Sequence, residues 1–285
     1  MFPSFNPGHI KMSVSLEEGL GWAQKFGFQG YDFPIAQTME YANENSPEAL
    51  VGLFAKYNQK IGNWNLPFSP TGPEEAWKEG LENLKPAAEL AEKIGALRTA
   101  MWIIPGSDEL EYEANWDLHV TRYQAVEKIL RPHGIRIGLE FIGPETSRKK
   151  KKYPFMHTLP EARKLAKEVG PNAGLLIDSW HWYCSGGTRE QMADLSNDEI
   201  VHIHINDAPA GIAREEQIDN QRRMPGTTEV IDIDGFLQAL KAANYDGPVT
   251  AEPFEDTTNA LPPDEKVKIN ADCVIGVMRR NGLVD

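Results

Sequence analysis

Long apolar runs are missing from this sequence. No window approaches the roughly 18 consecutive apolar residues that suggest a membrane-crossing helix. The N-terminus, MFPSFNPGHIKMS, lacks the basic flank and apolar stretch of a secretory leader. The plain expectation is a cytoplasmic protein with no membrane partner. Cysteine is scarce: Cys184 and Cys273 stand far apart, which excludes a disulfide framework and a CxxC zinc ribbon. Positive charge is in deficit, with 29 Lys and Arg against 42 Asp and Glu and a net charge of -13. Such a surface repels a nucleic-acid backbone, so no nucleic-acid partner is expected. No GxGxxG follows an early strand, which argues against a dinucleotide-binding sheet. Low-complexity segments and interdomain linkers are also absent.

What is present is alternation. Short β-branched or aromatic runs fall near residues 2–5, 29–33, 60–66, 98–103, 135–142, 173–179, 200–206 and 248–252. Helical spacing fills the intervals at 16–26, 46–58, 73–94, 113–133, 158–169, 188–195 and 234–243, and again at 264–281. Gly27 and Gly30 flank the second strand, while Gly134 and Gly247 precede the fifth and eighth, as helix-to-strand turns would. Eight strands alternating with helices predict a parallel sheet with crossovers. A chain of 285 residues suits one closed (β/α)8 TIM barrel, which runs to roughly 250 residues. The expectation is a single α/β domain over 1–285, with a homo-oligomer left open.

In such a barrel the chemistry gathers where the strands end. The fifth strand carries Glu140, the sixth ends on Asp178 with His181 three residues on, the seventh holds His202, His204 and Asp207, and the eighth holds Glu252. A carboxylate in an apolar strand is costly unless paired or bound to a cation. One such residue is as readily a satisfied core group, but four on consecutive strands call for a shared charge partner. A divalent cation held by Glu140, Asp178, His204 and Glu252 meets that need. Three oxygens and one nitrogen suit manganese foremost, with magnesium, cobalt and zinc as alternatives. His202, two residues before His204, shares its face and would sit one layer deeper. Trp64 and Trp102 near the ends of strands three and four offer apolar walls for a sugar ring, or plain barrel packing. Asp207 would orient a ligand or cap the next segment. The basic run Arg148–Lys152 reads as a solvated lid before it reads as an anion-gathering loop.

The segments IGLEFIGPE, LLIDSWHWY, HIHINDAP and VTAEPF resemble the sugar isomerase/epimerase superfamily with the xylose-isomerase-like barrel. Within it, QRRMPGTTEVIDIDGFLQALKAANYDGPVTAEPF is similar to the Arg–x–x–Pro–Gly segment of inosose (2-keto-myo-inositol) isomerases. The resemblance is good over 135–255 and weaker before. It implies the same four metal ligands, with Glu140 and Glu252 as the acid/base pair. It also implies that His181 contacts a substrate oxygen and that Arg222, or its neighbour Arg223, faces the pocket. Two departures stand out: Pro225–Gly226–Thr227–Thr228 replaces Pro–Gly–x–Gly, and Ala210 stands where ketose epimerases carry arginine.

The expected activity is a metal-dependent isomerase or epimerase of a ketose, inosose or related sugar, working through a metal-stabilised enediolate. A dehydratase or lyase acting on an inosose or 3-keto-glycoside begins from the same step. An endonuclease-IV-like enzyme fits less well, since the third strand offers Asn63 and Asn65 where extra histidines would be needed.

Overall fold

The computed structural model describes residues 1–285. Eight strands close a barrel: β1 Phe2–Phe5, β2 Gly30–Phe33, β3 Lys60–Asn65, β4 Arg98–Ile103, β5 Arg136–Phe141, β6 Ala173–Asp178, β7 Ile200–Ile205 and β8 Pro248–Ala251. Every neighbouring pair is parallel, and β1 closes on β8. Six of the strands are buried almost without interruption, while β3 and β4 carry exposed residues. Such runs suit a parallel sheet covered on both faces, and they explain why the sequence shows apolar blocks there instead of alternation.

All eight expected helices form on the outside: α1 Leu16–Lys25, α2 Pro47–Lys56, α3 Glu74–Ile94, α4 Tyr112–Leu130, α5 Leu159–Val169, α6 Arg189–Ala193, α7 Ile233–Ala242 and α8 Pro263–Arg280. Their ends carry ordinary chemistry. Ser15 and Glu18 form a capping box on α1, as do Thr158 and Glu161 on α5. Gly95 ends α3 in the left-handed conformation, at φ 77°. No helix is long and apolar enough to cross a membrane.

Among the further helices inside the connections are those at Ile35–Glu44 and Ser179–Cys184. The second starts directly at the end of β6. Asp178 is its N-cap and accepts the Trp180 N–H at 2.6 Å. The cap turns the chain at once, so His181 stays beside the strand end instead of moving away from it. A two-stranded ribbon, Gly106–Ser107 against Tyr153–Pro154, ties the β4 loop to the β5 loop.

The two barrel ends differ. At the N-terminal end Arg98 and Arg136 donate to the carbonyls of Ile200, Val201, Asn197 and Asp198. The C-terminal end is open.

Candidate metal centre and active site

Glu140 is the penultimate residue of β5, Asp178 the last of β6, His204 the penultimate of β7, and Glu252 the first beyond β8. Each offers a ligand atom, and these atoms lie within 4.8 Å of one another. His204 Nδ1 stands 3.6 Å from Glu140 Oε1, 3.8 Å from Asp178 Oδ2 and 3.5 Å from Glu252 Oε2. Both Glu140 Oε1 and His204 Nδ1 are buried without a hydrogen-bond partner. Two orphaned atoms aimed at one place are rare in a folded protein. They, and a donor set of three carboxylates with one imidazole, fit a divalent cation.

Charge supports the fit. Burial raises the Glu140 carboxyl, although His204 pulls the other way. Burial acts in the same sense on Glu252, but His9, His204 and Arg222 outweigh it and hold this group well below the usual range. Burial alone would lower the His204 ring. The facing Glu252 and Glu140 instead push it well above its ordinary value. The cluster as a whole attracts positive charge.

Arg222 supplies part of that charge. It is buried, and its Nη1 lies 2.8 Å from both Asp178 Oδ2 and Glu252 Oε2. Its Nη2 donates to Asp219 Oδ1 at 2.8 Å, and its guanidinium packs 4.7 Å from the Phe254 ring. Phe254 has φ 44°, the left-handed region that a bulky residue rarely occupies. That backbone turn just past Glu252 brings the ring over the arginine.

His181 is held from behind. The Gly143 N–H donates to its Nδ1 at 3.2 Å. The Arg222 Nη2 donor lies 3.1 Å from Nε2, so both ring nitrogens face N–H groups. Nε2 points inward, 3.8 Å from Glu140 Oε1 and 3.9 Å from Asp219 Oδ1. A side chain at Gly143 would collide with the His181 carbonyl oxygen, so only glycine lets the two backbones meet.

Over this cluster opens a cavity of about 330 Å³. Glu140, His181, Asp219, Arg222 and Glu252 form its polar side, and Trp102, Ile104, Ile142 and Phe254 its apolar side. The volume suits a monosaccharide-sized ligand. Trp102 is 55% exposed and lines the cavity as expected.

Trp64 does not reach the cavity. It is wholly buried, and its indole N–H donates to the Ala96 carbonyl at 2.9 Å. The register explains the difference. Trp64 pairs with Thr99, and Trp102 pairs with Glu140. Thr99 and Trp102 are three apart, so they face opposite sides of the sheet. The expectation that Trp64 walls the pocket is therefore corrected: it is core.

Other expectations sort themselves. Asp207 is a cap, accepting the N–H groups of Thr228, Glu229, Val230 and Ile231. Arg223 instead turns to Glu255, at 3.6 Å. The basic loop is tied down: Lys151 pairs with Asp108, Lys149 with Glu145, and Thr146 donates to the Gln217 carbonyl. Ser147, Lys150 and Lys151 reach the rim of the cavity.

Four functional positions escaped the sequence reading. His9 follows β1 and stands 3.5 Å from Glu252 Oε1, its ring edge-on to His204 with centroids 5.0 Å apart. Asn206 donates to Asp178 Oδ2 and accepts the Glu252 N–H, both at 2.8 Å, so it aligns two of the ligands. Asp219 anchors Arg222. Asp32, on β2, lies beneath the centre and accepts from Ser4 Oγ at 2.7 Å, Thr250 Oγ1 at 2.6 Å and the Asn63 N–H at 2.9 Å. His202 faces it at 3.2 Å, one layer below His204 as its spacing implied.

Residues 20–275 match the family described as Xylose isomerase-like TIM barrel. The chain belongs to the xylose isomerase-like TIM barrel family. Inosose isomerase of Halalkalibacterium halodurans is 26% identical over 288 residues, covering 97% of this chain and 96% of the relative. Among solved structures, a xylose isomerase domain protein from Alicyclobacillus acidocaldarius superposes with a TM-score of 0.87 at 28% identity, covering 99% of each chain. The IOLI protein with a bound zinc atom superposes at 0.81 with 22% identity, again over 99% of each chain.

Proposed function

We propose that this chain is a divalent-metal-dependent isomerase or epimerase acting on a ketose, an inosose or a related polyhydroxy ketone. The observation that carries this reading is the convergence of Glu140, Asp178, His204 and Glu252 on one place, with Glu140 Oε1 and His204 Nδ1 left unpaired there. The inosose isomerase relative, similar over nearly its whole length, supports a cyclic polyhydroxy ketone as substrate. The ion would be manganese, magnesium, cobalt or zinc.

A divalent ion at this place supplies Lewis acidity, which polarises a carbonyl and spreads the charge left by proton removal. Everything else is the work of side chains. Glu140 and Glu252 project from strands on opposite sides of the group, β5 and β8. They stand ready to take a proton from the carbon beside the ketone and to return one. The two are not equivalent. Glu252 is held ionised by His9, His204 and Arg222, while burial favours a proton on Glu140. Either carboxylate can take the proton, and the other or the same one can return it.

His181, held between the Gly143 N–H and Arg222, faces the cavity to contact a substrate oxygen. Arg222, locked by three carboxylates, keeps Glu252 and Asp178 in place and adds fixed positive charge where negative charge develops. Trp102 and Phe254 exclude water from the apolar side of the ring. A proton returned to the opposite face of the same carbon gives an epimer. A proton delivered to the neighbouring carbon moves the carbonyl.

Proton NMR in deuterated water on ketoses and inososes tests this. Deuterium at the carbon beside the ketone, with a new diastereomer or a shifted carbonyl, is the expected result. Glu140→Gln and Glu252→Gln should each reduce exchange by at least a hundredfold. Full exchange in either variant, or loss of a hydroxyl as the main product, would overturn the assignment.

A further inference from the structure

A second cleft opens on the other side of the barrel mouth, between the loops that follow β1, β2 and β3. Its volume is about 320 Å³. Asn6, His9, Asn63 and Asn65 line its polar side, with Phe33 and Ile35 among its apolar residues. His9 is the partition between this cleft and the carboxylate cluster. Its Nδ1 bonds the Ala251 carbonyl and its Nε2 meets Asn6 Nδ2, each at 3.1 Å, while the same Nε2 lies 3.5 Å from Glu252 Oε1. The cleft thus begins one imidazole away from Glu252.

Asn63 is the informative residue. It is 3% exposed, and its Oδ1 has no hydrogen-bond partner. Its Nδ2 donates to Asn65 Oδ1 at 3.2 Å, and Asn65 itself is exposed at the cleft. An unpaired buried carbonyl is costly. The position is not an accident of packing. Asn63 shares its strand face with Asn65, and the Asn63 N–H is spent on Asp32, which fixes the residue from below. An unpaired buried acceptor beside an exposed amide matches a hydroxyl group, which can give one bond and take another. No Asp, Glu, Lys or Arg lines the cleft, so nothing there balances a charged ligand.

We propose that this cleft is a second subsite, which takes the uncharged, hydroxyl-bearing end of the substrate remote from the reacting carbon. The idea rests on the reading of the site as a polyhydroxy-ketone enzyme. It adds that the substrate extends past His9 and that its far end is a neutral polyol.

Calorimetric titration of metal-loaded protein with myo-inositol, an unreactive neutral polyol, tests it directly. The wild type should bind, and Asn63→Leu should weaken binding about tenfold, the worth of one lost hydrogen bond. Asn65→Ala, at an exposed position, should weaken it severalfold. Binding that is absent, or unchanged in both variants, overturns the subsite. If binding depends on Asn63 but no ketose or inosose exchanges deuterium, the cleft stands as a polyol site and the proposed reaction falls. If exchange proceeds and polyol binding ignores both asparagines, the reaction stands and the subsite falls.

Discussion

Replacing Asp32 by alanine should cost far more than an ordinary surface change, because this carboxylate joins strands that are otherwise weakly laddered. The pairing of β1 with β8 and of β1 with β2 each rests on only two residue pairs. Between β2 and β3 the register slips after Tyr31, and the Asn63 N–H turns to Asp32 instead. Asp32 is 1% exposed. It collects donors from β1 (Ser4), β3 (Asn63) and β8 (Thr250), and faces His202 on β7. Alanine would leave the Asn63 N–H unpaired and open a polar hole under the carboxylate–histidine cluster. Breaking a buried charged network in this way costs about 3–5 kcal/mol. At roughly 2–4 °C per kcal/mol for a large domain, the melting temperature should fall by about 10 °C. Asp32→Asn keeps the shape and at least one acceptor, and should cost about half as much. Gly62→Ala offers an independent check, since its methyl would collide with Asp32 Oδ1, and should destabilise to a similar degree. Thermal unfolding followed by circular dichroism measures all three. An Asp32→Ala protein melting within about 2 °C of the wild type would refute the claim that this carboxylate holds the barrel seam.

Three further outcomes follow from other parts of the molecule. Trp64→Phe should cost about 2 kcal/mol through the lost bond to Ala96 and the lost volume, and leave KM unchanged; a raised KM would return Trp64 to the pocket. Asp207→Ala should free the Ala208–Ile231 connection, seen as faster cleavage there by a nonspecific protease, since four backbone N–H groups lose their acceptor. Buried His119 has its pKa lowered by burial to about 4, from an ordinary value of 6.5. Its neutral form is favoured in the fold, so its contribution is intact above pH 6.5 and is lost as pH falls toward 4. That loss is worth about 3 kcal/mol, and urea denaturation of His119→Phe against wild type should show a shallower decline over this window. Parallel declines would remove His119 as the cause.

The barrel was legible because the signal repeats: eight apolar blocks, each followed by helical spacing, and every expected strand formed within about a residue or two of its place. The cluster of Glu140, Asp178, His204 and Glu252 was legible because carboxylates inside apolar strands are conspicuous. Asp32 carries the same mark in GYDF and could have been found by the same argument. His9 and Asp219 could not. They sit in loops of no pattern, and only the closed barrel brings them to Glu252 and Arg222. The two tryptophans show a different limit. Both end strands, but which face each presents depends on a register that periodicity alone does not fix in strands buried on both sides. The helix at Ser179–Cys184 was hidden because its cap, Asp178, is also a proposed ligand, and SWHWY reads as a continuation of the strand.

The central claim is that Glu140, Asp178, His204 and Glu252 hold one divalent cation and that proton transfer depends on it. Its most direct test is a titration of chelator-stripped protein with manganese or zinc, following deuterium exchange into a responsive ketose or inosose at each addition. Exchange should be absent in the stripped protein, rise with each addition and level off at one ion per chain. Exchange that survives stripping, or none in protein shown to hold one ion, would contradict the account.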